Sequence, residues 1–241
     1  MGLLSLFRKR KKDSENSTVF PVRNNSEVPV HEINESPYKD NMSYMRFECN
    51  ALFTQTNRSR KVIVEAFSEE EAREHMIQNG FAPDSIRIKR IPFDPPTPDQ
   101  ISAMRSHNNE LPKNACKQDV SYLIEKHSKG QKNPSKKLLD FAVSRKVKFS
   151  LYTGEYSLYG IIWYSFDDLH KVAWYLLCVN HDCSRKWNFD KFDYYFNKAP
   201  SLLENQKFYN SFKRYMNAGF YGFDENTSRN TNCYKIALEE I

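Results

Sequence analysis

The chain has 241 residues, with 36 Lys and Arg against 30 Asp and Glu, a net charge of +6 and an isoelectric point near 8.9. Hydrophobic residues make up 39% and charged residues 27%, but a mean hydropathy of -0.74 is too polar for one uniform core, so one or two small domains with polar tails are expected. Only 7 glycines occur, and there is no Gly-x-Gly-x-x-Gly, no Gly-x4-Gly-Lys-Ser/Thr, no Gly-x-Ser-x-Gly and no His-Glu-x-x-His. The common phosphate-cradling, nucleophile-elbow and zincin signatures are therefore absent, and neither an enzyme nor a cofactor is expected.

The chain opens with a short apolar run, Met1 to Phe7, followed by Arg8, Lys9, Arg10, Lys11 and Lys12. A signal peptide has the reverse order, and Leu6 departs from the Ser or Thr of a myristoylation pattern. Residues 13–42 are rich in Ser, Asn, Glu and Pro, a composition that buries too little apolar surface to offset the entropy of ordering. Residues 1–42 are thus expected to be a disordered basic N-terminus and linker. The five cysteines, Cys49, Cys116, Cys178, Cys183 and Cys233, are odd in number and scattered, which fits a reducing cytoplasm better than a disulfide framework. No run approaches the ~18 apolar residues of a membrane span, so no stable membrane insertion is expected.

Residues 43–95 predict a small β-β-α-β domain. Phe47, Cys49, Leu52 and Phe53 precede a polar turn at Thr56 to Ser59, and Val62, Ile63, Val64, Ala66 and Phe67 form a β-branched return. Ser68 is an N-cap candidate, Glu69, Glu70 and Glu71 suit the first turn of a helix, and Gly80 suits its end. Ile86, Ile88 and Ile91 then alternate with Arg87, Lys89 and Arg90 as a strand with one exposed face.

Pro92, Pro95, Pro96 and Pro98 mark a boundary, and Thr97-Pro98 predicts a helix start. A helix to about His107, a polar stretch with Leu111-Pro112, and a second helix near Lys117 to Lys126 follow. The layout returns 38 positions later: Ile101 aligns with Leu139, Ala103 with Phe141, Met104 with Ala142, Leu111 with Phe149, Val120 with Leu158, Leu123 with Ile161 and Ile124 with Ile162. Two such units can share a core that one alone would leave open, so residues 96–165 are expected to form a tandem repeat.

The run Thr97-Pro98-Asp99-Gln100-Ile101, with Leu111-Pro112, Ala115-Cys116-Lys117-Gln118-Asp119-Val120 and Leu123-Ile124, resembles the SAP-like helix-extended loop-helix motif of bacterial and phage proteins. It departs from that motif at Asn108-Asn109, where a glycine would stand, and the second copy has Ser150 and Glu155 in place of the proline and lysine. The resemblance implies DNA binding. Residues 96–150 hold 11 basic and 5 acidic residues, so this segment alone equals the net charge of the whole chain. The candidate DNA-binding residues are Lys113, Lys117, Lys126, Lys129, Lys132, Lys136, Lys137, Arg145, Lys146 and Lys148. Lysines without a nearby Arg, Asn or Gln aimed at base edges favour backbone contact over sequence readout.

Residues 166–241 are expected to be an aromatic-rich α-helical region. Of 34 aromatic residues, 22 fall between Phe149 and Phe223, either as core or as stacking and docking surface. One helix is predicted from Asp167-Asp168 through Leu177, and a second across Leu202, Phe208, Phe212, Tyr215 and Met216 to about Gly219. Cys178, His181, Cys183 and Cys233 do not have a standard zinc spacing, and no metal is expected. The chain as a whole is expected to be an α+β, cytoplasmic, non-enzymatic accessory protein that grips DNA backbone through the repeat. The alternative is an adaptor that docks a protein partner on its aromatic C-terminal surface.

Overall fold

The computed structural model describes residues 41–107, 109–217 and 229–241. The fold is α+β: a three-stranded antiparallel sheet is followed by helices. Of the tail expected over residues 1–42, residues 1–40 lie outside the described residues, as does the helix end near Gly219; Asn41 and Met42 belong to the fold, Met42 being buried and bridged to Ser150.

The sheet has the order β2-β1-β3, with β1 Met45–Phe53, β2 Arg58–Ala66 and β3 Arg87–Ile91. Alternation sets its inner face, where Phe47, Cys49, Ala51, Val64 and Ala66 are buried. Helix α1, Glu69–Gln78, closes that face with Ala72 and Met76. Its start is the predicted one: Ser68 Oγ accepts from Glu71 N at 3.1 Å, and Glu71 Oε2 reaches back to Phe67 N. Gly80 ends the turn at φ +83, where Phe81 N donates to Met76 O at 3.2 Å. A side chain at Gly80 would be strained in this left-handed region.

Four helices carry the repeat: α2 Pro98–Ser106, α3 Lys117–Ser128, α4 Lys136–Ser144 and α5 Glu155–Ser165. The offset of 38 maps the bounds of α2 onto those of α4, and the start of α3 onto that of α5. It also maps the connecting hydrogen bonds. Asn109 N to Met104 O (3.0 Å) becomes Val147 N to Ala142 O (2.9 Å), and Ala115 N to Pro112 O (3.2 Å) becomes Thr153 N to Ser150 O (2.9 Å). Lys117 N to Asp94 O (2.8 Å) becomes Glu155 N to Lys132 O (2.9 Å). Each copy is therefore a helix, an extended loop and a helix with one backbone design.

The two copies enter different cores. Met104, Ala115, Val120 and Leu123 of the first form a small cluster with Leu111, Ile124 and Tyr152. Leu138, Phe141, Ala142, Phe149, Leu158 and Ile162 of the second belong to the main core. That core is completed by α6 Asp168–Ser184, α7 Phe192–Glu204, α8 Gln206–Asn217 and α9 Asn232–Glu240. Trp174, Tyr175, Phe192, Tyr195, Phe208 and Phe212 are almost fully buried within it, so these aromatics supply packing in place of scarce Ile and Val.

The second predicted C-terminal helix is two helices. Asn205 interrupts it: its Oδ1 accepts from Lys207 N at 3.1 Å and Phe208 N at 3.2 Å. An asparagine in that role competes with helix continuation and starts α8 anew.

Segment 41–44 is fastened to the loop of the second copy. Ser43 N donates to Phe149 O at 2.9 Å, Leu151 N donates to Asn41 O at 2.7 Å, and Ser43 Oγ donates to Val147 O at 2.8 Å. Beneath lies Asp119, fully buried, whose carboxylate accepts from Ser150 Oγ (2.5 Å) and Cys116 N (2.9 Å). One carboxylate thus joins the first copy to the second.

Candidate nucleic-acid interface

The connection between α3 and α4 concentrates the charge. Between Glu125 and Asp140 stand five lysines, Lys126, Lys129, Lys132, Lys136 and Lys137, and no carboxylate. Lys129, Lys132, Lys136 and Lys137 are exposed, and Lys126 is half-buried. Gln131 holds this connection in place by donating from Nε2 to Ser157 Oγ at 2.9 Å and accepting from Ser157 N at 3.0 Å. The hydrogen bond from Glu155 N to Lys132 O adds a backbone tie.

Two lysines are tethered locally. Lys129 Nζ lies 2.6 Å from Glu125 Oε1 one turn earlier, and Lys126 Nζ donates to Asn133 Oδ1. Lys132, Lys136 and Lys137 have no ion pair among the described residues. Ser135 caps α4 through Leu138 N at 3.3 Å, and the first turn then carries Lys136 and Lys137 with no acidic residue. Cations at a helix N-terminus add to the positive end of the dipole, so this turn favours a bound anion. The corresponding turn of α2 carries Pro98 and Asp99 instead.

The other candidates are placed elsewhere. Lys113 and Lys117 are exposed near the start of α3, roughly 14 Å along the helix axis from Lys126 at 1.5 Å per residue. Lys146 and Lys148 face the β-β-α-β unit: Lys146 Nζ is 3.9 Å from Glu71 Oε2, and Lys148 Nζ donates to Glu65 O while lying 5.7 Å from the Tyr44 ring centre. Arg145 serves the fold. Its Nη2 lies 2.8 Å from Asp193 Oδ1, and its guanidinium sits 4.5 Å from the centre of Phe192. The structure therefore brings five of the ten candidates together and disperses the rest.

Beside Lys137 opens a cleft of about 490 Å³ between α4 and residues 187–193. Lys137, Asp140 and Ser144 stand on one wall, and Trp187, Phe189 and Asp190 on the other. Asp190 stands in the short turn Phe189–Lys191 and Asp193 in the first turn of α7. The spacing of Lys137, Asp140, Phe141 and Ser144 on one helical face was the available signal.

The remaining cysteine chemistry is quiet. Burial pushes the thiols of Cys116 and Cys178 up to about 12. Among the described residues no group of three His, Cys, Asp or Glu could hold a metal ion, and no helix is long and apolar enough to cross a membrane. No protein-family model, no curated protein and no solved structure matches the chain.

Proposed function

We propose that the chain is a non-enzymatic DNA-binding accessory protein that grips the phosphate backbone at the junction of α3 and α4. The observation that carries this reading is the run of five lysines without a carboxylate, three of them exposed and without an ion pair among the described residues, two of these in the first turn of a helix. Such a site releases counterions on docking and contributes little base discrimination. The adaptor reading has less behind it, since among the described residues most C-terminal aromatics are core and the large exposed ones are Tyr156, Tyr164 and Tyr194.

Gel shifts with duplex and single-stranded DNA test the proposal. Five phosphate contacts predict affinity falling by roughly 10² to 10³ between about 50 and about 200 mM salt. The triple variant Lys132→Glu, Lys136→Glu, Lys137→Glu is expected to lose binding at low salt while keeping its thermal unfolding midpoint. Unchanged binding by that variant, or no binding by the wild type, would sink the DNA reading.

A further inference from the structure

We infer that the cleft between α4 and residues 187–193 receives one base of single-stranded DNA, and that it selects a base with an exocyclic amino group, cytosine foremost. This inference rests on the proposed backbone grip and extends it from charge to base choice.

The cleft volume of about 490 Å³ lies within the range of small-ligand sites and admits one nucleoside. Lys137 is shared between the lysine cluster and the cleft wall, so a strand lying on the cluster passes the cleft mouth. Within, the rings of Trp187 and Phe189 lie 5.4 Å apart, only 5° from parallel, and both are half-buried. Flat aromatic lining suits a splayed-out base better than it suits a peptide chain or a simple anion.

The carboxylates then decide which base. Asp193 is engaged by Arg145. Asp140 and Asp190 are exposed, face the cleft from opposite walls, and have no ion pair among the described residues. A carboxylate accepts hydrogen bonds only, so two carboxylates match the two N–H donors of the cytosine N4 amino group, whereas thymine offers the single N3–H between two carbonyl oxygens. Lys137 at the mouth offsets the two negative charges toward the strand's phosphates.

The chain provides its own probe. Of three tryptophans, Trp163 and Trp174 are 2% and 1% exposed, which leaves Trp187 as the indole able to report a bound base. Titrating the full chain with oligo(dC) and oligo(dT) of equal length should quench emission more with oligo(dC), at an affinity at least about fivefold tighter, the lower bound for one good base contact. The double variant Asp140→Asn, Asp190→Asn should bind both oligonucleotides equally and keep the salt dependence of the wild type. Equal affinity of the wild type for both, or a preference that survives in the double variant, overturns the cleft proposal while leaving the lysine grip intact. Failure of both oligonucleotides to bind overturns the cleft proposal, and the lysine grip falls with it if duplex DNA also fails to bind.

Discussion

Arg145 Nη2 and Asp193 Oδ1 meet at 2.8 Å and tie the end of α4 to the first turn of α7 across 48 positions of sequence. The guanidinium also lies over Phe192, and the hydrogen bond from Arg145 holds the Asp193 carboxyl below its usual range. Because Asp193 is largely exposed, the pair is worth a surface ion pair plus a cation-π contact.

Arg145→Ala should therefore lower stability by about 1–2 kcal/mol at neutral pH. The Asp193 share is present above the unfolded carboxyl value of about 3.9 and is lost as pH falls through the lower folded value. Urea unfolding of wild type and variant at pH 7 and again near pH 3 should show the gap narrowing in acid. A gap that stays constant would assign the whole effect to packing over Phe192.

Asp119 has the opposite sign. Burial raises its folded value despite hydrogen bonds from Ser150 and Cys116, so its contribution is complete below about pH 3.9 and fades as pH rises through the folded value. Asp119→Asn should unfold with a flatter pH profile from about pH 4 upward. Asp119→Ala should lose about 2–3 kcal/mol below about pH 4, since it strands the Ser150 hydroxyl and the Cys116 amide, and less as pH rises and the wild-type contribution fades. Matching slopes for wild type and Asp119→Asn would show that this carboxyl keeps an ordinary value.

At Gly154, a Cβ would lie 2.3 Å from Gln131 Oε1 and 2.8 Å from Gln131 Cβ. Gln131 is the residue that ties the lysine-bearing connection to α5. Gly154→Ala should expel that side chain, cost about 1–2 kcal/mol, and make the Lys132 to Lys136 stretch more susceptible to trypsin. Wild-type cleavage rates in the variant would show that the connection is held by its backbone contacts alone.

Much of the fold was legible because it rests on local chemistry. Ser68, Thr97 and Asp167 each cap the helix that they precede, and the 38-residue offset survived because each copy keeps its apolar phase through the loop. Less visible was which surface each apolar face would meet. Leu139 and Ile101 sit at equivalent positions, yet only Leu139 packs against the C-terminal aromatics, and periodicity does not specify a distant partner.

The same limit governed the candidate interface. The lysines between Glu125 and Asp140 stood together in sequence and stand together in the fold, since one short connection carries them. Arg145 looked equally basic, but its carboxylate lies in another helix, and Lys146 and Lys148 turn toward Glu71 and Glu65. A charge count records these residues alike, whereas tertiary pairing separates them.

The unequal cores of the two matched copies imply an order of opening. Helices α2 and α4, equal in length and each capped by a side chain, are guarded by unequal amounts of buried apolar surface, so the first copy should exchange its amide protons through smaller, cheaper fluctuations. Native-state exchange that protected both helices alike would refute that ranking. In the expected case, the copy beside the solvent breathes while its twin is locked inside the aromatic bundle, and one backbone plan yields two different lifetimes of the closed state.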